Sequence, residues 1–129
     1  MITLSSVTLA QKDTTIQSTA DSIFQKVDLE AAFPGGNAGW RKYLENNLNA
    51  EVPAVNGARP RTYTVIIQFI VDTSGNLSDF KALTNHGFGM EQEVTRVIIK
   101  GPKWEPAIHN GRKVKAFRKQ PVTFQVNRE

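Results

Sequence analysis

From Tyr63 to Val71 the residues alternate, with Tyr63, Val65, Ile67, Phe69 and Val71 on one face and Thr64, Ile66, Gln68 and Ile70 on the other. Only an extended strand sends successive side chains to opposite sides, so this segment predicts a β-strand. Ile66 and Ile70 make the second face partly apolar too, which suits a central strand. Asp72-Thr73-Ser74-Gly75-Asn76 follows as a hairpin turn, with Gly75 at the position suited to positive φ. Leu77 to Thr84 then reads as the returning strand. Asn85-His86-Gly87-Phe88-Gly89 ends it, and Met90 to Lys100 reads as a helix with Met90, Val94, Val97 and Ile98 toward the sheet. Gly101-Pro102 stops that helix.

A second constraint comes from the C-terminal segment. Arg112 to Val126 reads as one long strand carrying Pro121. A proline cannot donate to a ladder, so such a strand belongs at a sheet edge. An exposed edge is either an aggregation risk or a docking site, and the reading here is a docking site. Val114, Ala116, Val122, Phe124 and Val126 share one phase, and Phe117 falls out of it. A bulge near Pro121 or an exposed Phe117 would account for that.

Upstream, Phe33-Pro34-Gly35-Gly36 precedes an amphipathic helix from about Ala38 to Leu48, with Asn37 as its N-cap. Trp40, Leu44 and Leu48 form its apolar stripe, with Tyr43 beside them. Val52 to Ala58 reads as a connector, and Ile23 to Leu29 as a short additional strand. The fold class is therefore α+β: a small three-stranded antiparallel sheet with two helices packed on one face. Residues 23–129 form the domain. Residues 1–22 read as a flexible leader or the remnant of a secretory signal, with small and apolar residues before Ala10.

Charge is uneven. Residues 1–58 carry four cations against six anions, and residues 59–129 carry twelve against six. The excess gathers on the last strand as Arg112, Lys113, Lys115, Arg118 and Lys119, with Phe117 between them. Such a pattern could contact a single-stranded nucleic acid. Cations that guard an exposed edge explain the same residues more simply, and no nucleic-acid partner is expected. With no cysteine, thiolate metal sites and thiol nucleophiles are excluded. His86 and His109 lie apart in turn-like contexts, so no metal site is expected. Glu91 and Glu93 point to different sides of a helix, and Asp72 and Asp79 flank a turn. No nucleophile with an oriented base is present, so neither catalysis, a cofactor nor a small-molecule substrate is expected. No window of 18 apolar residues occurs.

These pieces together resemble the C-terminal domain of TonB, the energy transducer of Gram-negative envelopes, in the form common in Bacteroidetes-type proteins. The resemblance rests on Phe33-Pro34-Gly35-Gly36 with the helix through Tyr43-Leu44, and on Tyr63 to Asp72 with Gly75-Asn76-Leu77-Ser78-Asp79. It continues through Pro102-Lys103-Trp104-Glu105-Pro106-Ala107, Asn110-Gly111-Arg112-Lys113-Val114 and Pro121-Val122-Thr123-Phe124. Where the family usually has Tyr-Pro before the first strand, this chain has Val52-Pro53. The resemblance implies a non-enzymatic periplasmic module of outer-membrane transport. It would bind the TonB box, an extended transporter segment, along its last strand through Val114, Lys115, Ala116, Phe117, Arg118, Lys119 and Gln120, mainly by their backbone. A full transducer also has an inner-membrane helix and a proline-rich spacer, so the expectation is a soluble accessory. The alternative is a structural domain that pairs its own edge into a homodimer.

Overall fold

The structure is a computed structural model that describes residues 22–128. The leader or signal reading of residues 1–22 lies outside it, apart from Ser22. Strand β1 (Arg61–Val71) is central in a three-stranded antiparallel sheet of order β2-β1-β5, with β2 (Leu77–Ala82) on one side and β5 (Ala116–Val126) on the other. The apolar second face of β1 is thus explained: Ile70 is 3% exposed although it points away from the main core. A second small sheet pairs β3 (Ala107–His109) with β4 (Arg112–Val114).

Helix α1 (Gly36–Asn47) begins after Gly35, whose φ of 87° no ordinary side chain adopts readily. Asn37 therefore lies inside the helix, and no side chain caps it. Helix α2 (Val52–Val55) is a single turn opened by Pro53 in the segment read as a connector. Helix α3 (Met90–Lys100) has the bounds its periodicity predicts, with Met90, Val94, Val97 and Ile98 all buried. It lies on β1 and β2.

The core sits between the sheet and the helices. Tyr63, Val65, Ile67, Phe69 and Val71 of β1 share it with Ala116, Val122, Phe124 and Val126 of β5. One end is closed by an aromatic group. Trp104 packs edge-on against Phe69 at 5.1 Å and against Phe33 at 5.8 Å, while Phe33 also contacts Trp40 and Tyr43. This group attaches α1 to the domain. The Tyr43 hydroxyl donates to the Val97 carbonyl at 2.8 Å and ties α1 to α3. Burial pushes the Tyr43 phenol above its ordinary pKa.

Two details of the strands differ from expectation. The segment Arg112–Val126 is not one strand: it divides at Lys115 into β4 and β5, because Asn110 and Gly111, both at positive φ, fold β4 back onto β3. The register of β5 with β1 runs without interruption from Ala116 to Val126, so no bulge forms at Pro121. Phe117 instead points to the outer face of the sheet, opposite Ile70, and is half-buried there. The bulge lies in β2, where Asp79 takes φ 54° and the register with β1 shifts between Gln68 and Ile70.

Candidate functional site: the outer edge of the last strand

Both outer strands of the sheet present an edge, but they differ. β2 is short and bulged, and both features blunt an edge against strand addition. The loop after β2 also closes over β1. Leu83 N–H donates to Ile66 O at 2.9 Å, Ile66 N–H donates to Thr84 Oγ1 at 3.2 Å, and His86 Nε2 lies 2.8 Å from Thr64 O. Glu91 fixes that loop by accepting from His86 N–H, Gly87 N–H and Thr84 Oγ1. Burial alone would raise the Glu91 pKa, but these hydrogen bonds outweigh it and hold the carboxyl below its ordinary value. β5, by contrast, is long and regular.

The direction of each backbone group on β5 follows from one contact. Phe24 N–H donates to Lys115 O at 2.9 Å, and Phe117 N–H donates to Phe24 O at 3.0 Å. Lys115 and Phe117 therefore face away from β1. In an antiparallel pair the hydrogen-bonding direction alternates residue by residue. With the unbroken register, Lys119, Pro121, Thr123 and Gln125 also face outward, while Ala116, Arg118, Gln120, Val122 and Phe124 face β1. Pro121 thus stands where its missing N–H interrupts no bond to β1, as the edge argument from the sequence requires. The Pro121 carbonyl accepts from Gln120 Nε2 at 3.2 Å.

The seven residues singled out in the sequence do not form one continuous edge. Val114 belongs to β4, where it pairs with Ala107. Lys115 is exposed, but its carbonyl is taken by Phe24. Ala116 is 1% exposed and faces β1 opposite Val71, so its N–H is no edge donor. Phe117 faces outward with its N–H taken by Phe24. Lys119 is exposed, opposite Gln68, with its backbone outward.

The side chains of Arg118 and Gln120 lie on the helix face of the sheet. Arg118 stacks over Trp104 at 5.8 Å, donates to Gln120 Oε1 at 3.0 Å and meets Glu30 at 3.4 Å. It is therefore part of the packing, not a free cation of the edge. The exposed cations beside the edge are Arg112, Lys113, Lys115 and Lys119. Beyond Pro121, Thr123 and Gln125 extend the outward edge, and sequence reasoning left them out. On the outer face they bond across to β1, with Thr123 Oγ1 3.1 Å from Thr64 Oγ1 and Gln125 Oε1 accepting from Thr62 at 2.7 Å.

Sequence reasoning also missed how the segment before α1 is used. Ile23 to Leu29 forms no regular strand of its own. It makes isolated bridges, parallel at Phe24 with Ala116 and antiparallel at Leu29 with Ile108, and a further one joins Ala32 to Glu105. The phase of Phe24 and Leu29 in the sequence gives no sign of which strand each would meet.

Elsewhere an open cavity of about 210 Å³ lies between the β1–β2 turn and the end of α3, lined by Leu77, Phe80, Ile99 and Pro102 among others. Lys103 is its one titratable lining residue among the described residues. Among the described residues no three metal-ligating side chains converge, and no helix is long and apolar enough to cross a membrane.

The fold and its edge define a small α+β module with one long, regular outer strand. The family model for the Gram-negative bacterial TonB protein C-terminal matches residues 57–126, from just after α2 through β5. The chain belongs to the TonB C-terminal family. That family is a non-enzymatic, transport-associated protein-interaction module, periplasmic in Gram-negative bacteria. No curated protein and no solved structure matches the chain.

Proposed function

We infer that this chain is a periplasmic binding module of TonB-dependent outer-membrane transport, and that it takes the extended TonB box of a transporter as an added strand on the outer edge of β5. The observation that carries this reading is the regular register of β5 with β1, which leaves every second backbone group of an eleven-residue strand facing outward. Backbone pairing supplies affinity in this mode, and side-chain contacts supply choice. Lys113, Lys115 and Lys119 favour an acidic segment and speed its encounter. Within Val114–Gln120, Phe117 and Lys119 are the residues that would exchange backbone bonds with the partner, continuing to Thr123 and Gln125.

The alternative is self-pairing of β5 in a homodimer. A twofold placed at Pro121 would set two donorless residues face to face, which disfavours that register. The test is a titration of labelled protein with synthetic peptides from the N-terminal segments of TonB-dependent transporters, read by backbone amide shifts, with sedimentation at two protein concentrations. Saturable shifts at Phe117, Lys119, Thr123 and Gln125 in a monomer support strand addition. A dimer with the Lys119, Thr123 and Gln125 amides already protected refutes it.

A further inference from the structure

Resting on the reading just given, we propose that the segment Ile23–Gln25 is a built-in competitor for the same edge, which an incoming strand must displace. The available backbone groups set this up. Before Pro121, the outward-facing groups of β5 and the residue preceding it are Lys115 O, the N–H and O of Phe117, and the N–H and O of Lys119. Pro121 offers no donor, and its carbonyl already accepts from Gln120 Nε2. The continuous donor and acceptor row is thus Lys115 to Lys119, and Phe24 holds two of its groups.

Phe24 is seated as well as hydrogen-bonded. Its ring lies 5.3 Å from that of His109 and packs on the edge of the core. Downstream the segment is clamped. Leu29 and Ile108 exchange both backbone bonds, as do Ala32 and Glu105. Asp28 accepts from Asn110 N–H at 2.9 Å, and Glu30 meets Arg118. Between the clamp and Phe24, Gln25 and Lys26 are exposed and only Val27 is half-buried. The segment can therefore release Phe24 and remain attached from Asp28 onward. A site whose competent form is a fraction of the population binds more weakly by that fraction. The cis segment thereby raises the threshold for capture and selects strands that pair better than Phe24 does.

The test uses the full chain with Phe24→Ala and, as a packing-conserving control, Phe24→Leu. Amide exchange at Phe117 is measured first without partner, with Ile67 and Val94 reporting that the core is intact. The same transporter peptides are then titrated into each protein. The expected result is about tenfold faster Phe117 exchange and about tenfold tighter peptide binding in Phe24→Ala, with Phe24→Leu close to wild type. Equal peptide affinity in wild type and Phe24→Ala, with shifts at Phe117 in both, overturns the competitor and leaves strand addition standing. If Phe24→Ala frees the Phe117 amide but no peptide binds either protein, strand addition fails, and the competitor falls with it. Should Phe24→Ala perturb the core amides, the wild-type chain carries the test: saturating peptide should speed exchange of the Phe24 amide, which bonds Lys115 O in the free protein, and Phe24 protection unchanged in the peptide-bound protein overturns the proposal.

Discussion

Two proline substitutions one residue apart should have opposite consequences. Lys119 faces away from β1 and Gln120 faces it. Lys119→Pro removes an outward N–H and an exposed side chain, and β5 already accepts a proline two residues on at the same outward phase. Its cost to stability should stay within about 1 kcal/mol. Gln120→Pro removes the N–H that serves Ile67, a residue with 0% exposure. A carbonyl left unpaired in that setting costs about 1–3 kcal/mol. The buried Gln120 side chain also loses its bonds to Arg118 and to Pro121 O, each worth about 1 kcal/mol. The total is about 3 kcal/mol or more, which lowers the melting temperature by roughly 10 °C or more for a domain of this size. Thermal unfolding by circular dichroism reads this difference. The peptide titration reads the other half, since Lys119→Pro should weaken binding while the fold persists. If Lys119→Pro melts as low as Gln120→Pro, the assignment of outward and inward residues is wrong. If it melts normally and binds normally, the edge before Pro121 is not where the partner pairs.

Other predictions follow from single contacts. Gly75 has φ 88°, and a Cβ there would come 2.3 Å from the Trp104 carbonyl; Gly75→Ala should cost about 3 kcal/mol in urea unfolding. Trp104→Ala removes the ring that joins Phe33, Trp40, Phe69 and Arg118, and should cost about 3–5 kcal/mol with loss of the near-ultraviolet aromatic signal. Glu93 is 9% exposed and accepts from Arg96 Nε and Nη2 and from Asn49 N–H. The Arg96 hydrogen bond chiefly holds its carboxyl below the ordinary value, against the opposing effect of burial. A depressed carboxylate pKa contributes stability above the unfolded-state pKa and loses it as pH falls through the folded one. Glu93→Gln should therefore destabilise by about 1–3 kcal/mol near pH 7. The gap to wild type should narrow as pH is lowered from about 5 through the acid range, as stability measured across pH will show. A gap independent of pH would mean that the Glu93 charge is not what matters.

The sequence alone determined the elements whose own side chains carry a period. The alternation of Tyr63 to Val71 located the central strand, since burial on one face demands a two-residue repeat. Met90, Val94, Val97 and Ile98 located the second long helix with its bounds, because Gly89 and Gly101 bracket an apolar stripe. Pro121 marked the edge, because a missing donor is a covalent fact independent of context. The family match over residues 57–126 covers this same region.

Only the tertiary structure decided the rest. Which residues of β5 face outward depends on its register with β1, and a shift of one residue reverses every direction. That is why Ala116, an apparent edge donor in the sequence, faces β1, and why Phe117 and Lys119 take its place. Arg118 read as a free cation until Trp104 and Glu30, distant in sequence, were brought against it. Phe24 gave no local sign of its partner, since two backbone bonds to Lys115 and Phe117 need no particular side chain. Pairing between distant backbones leaves little imprint on residue identity, so the occupied part of the edge became legible only once the chain was folded.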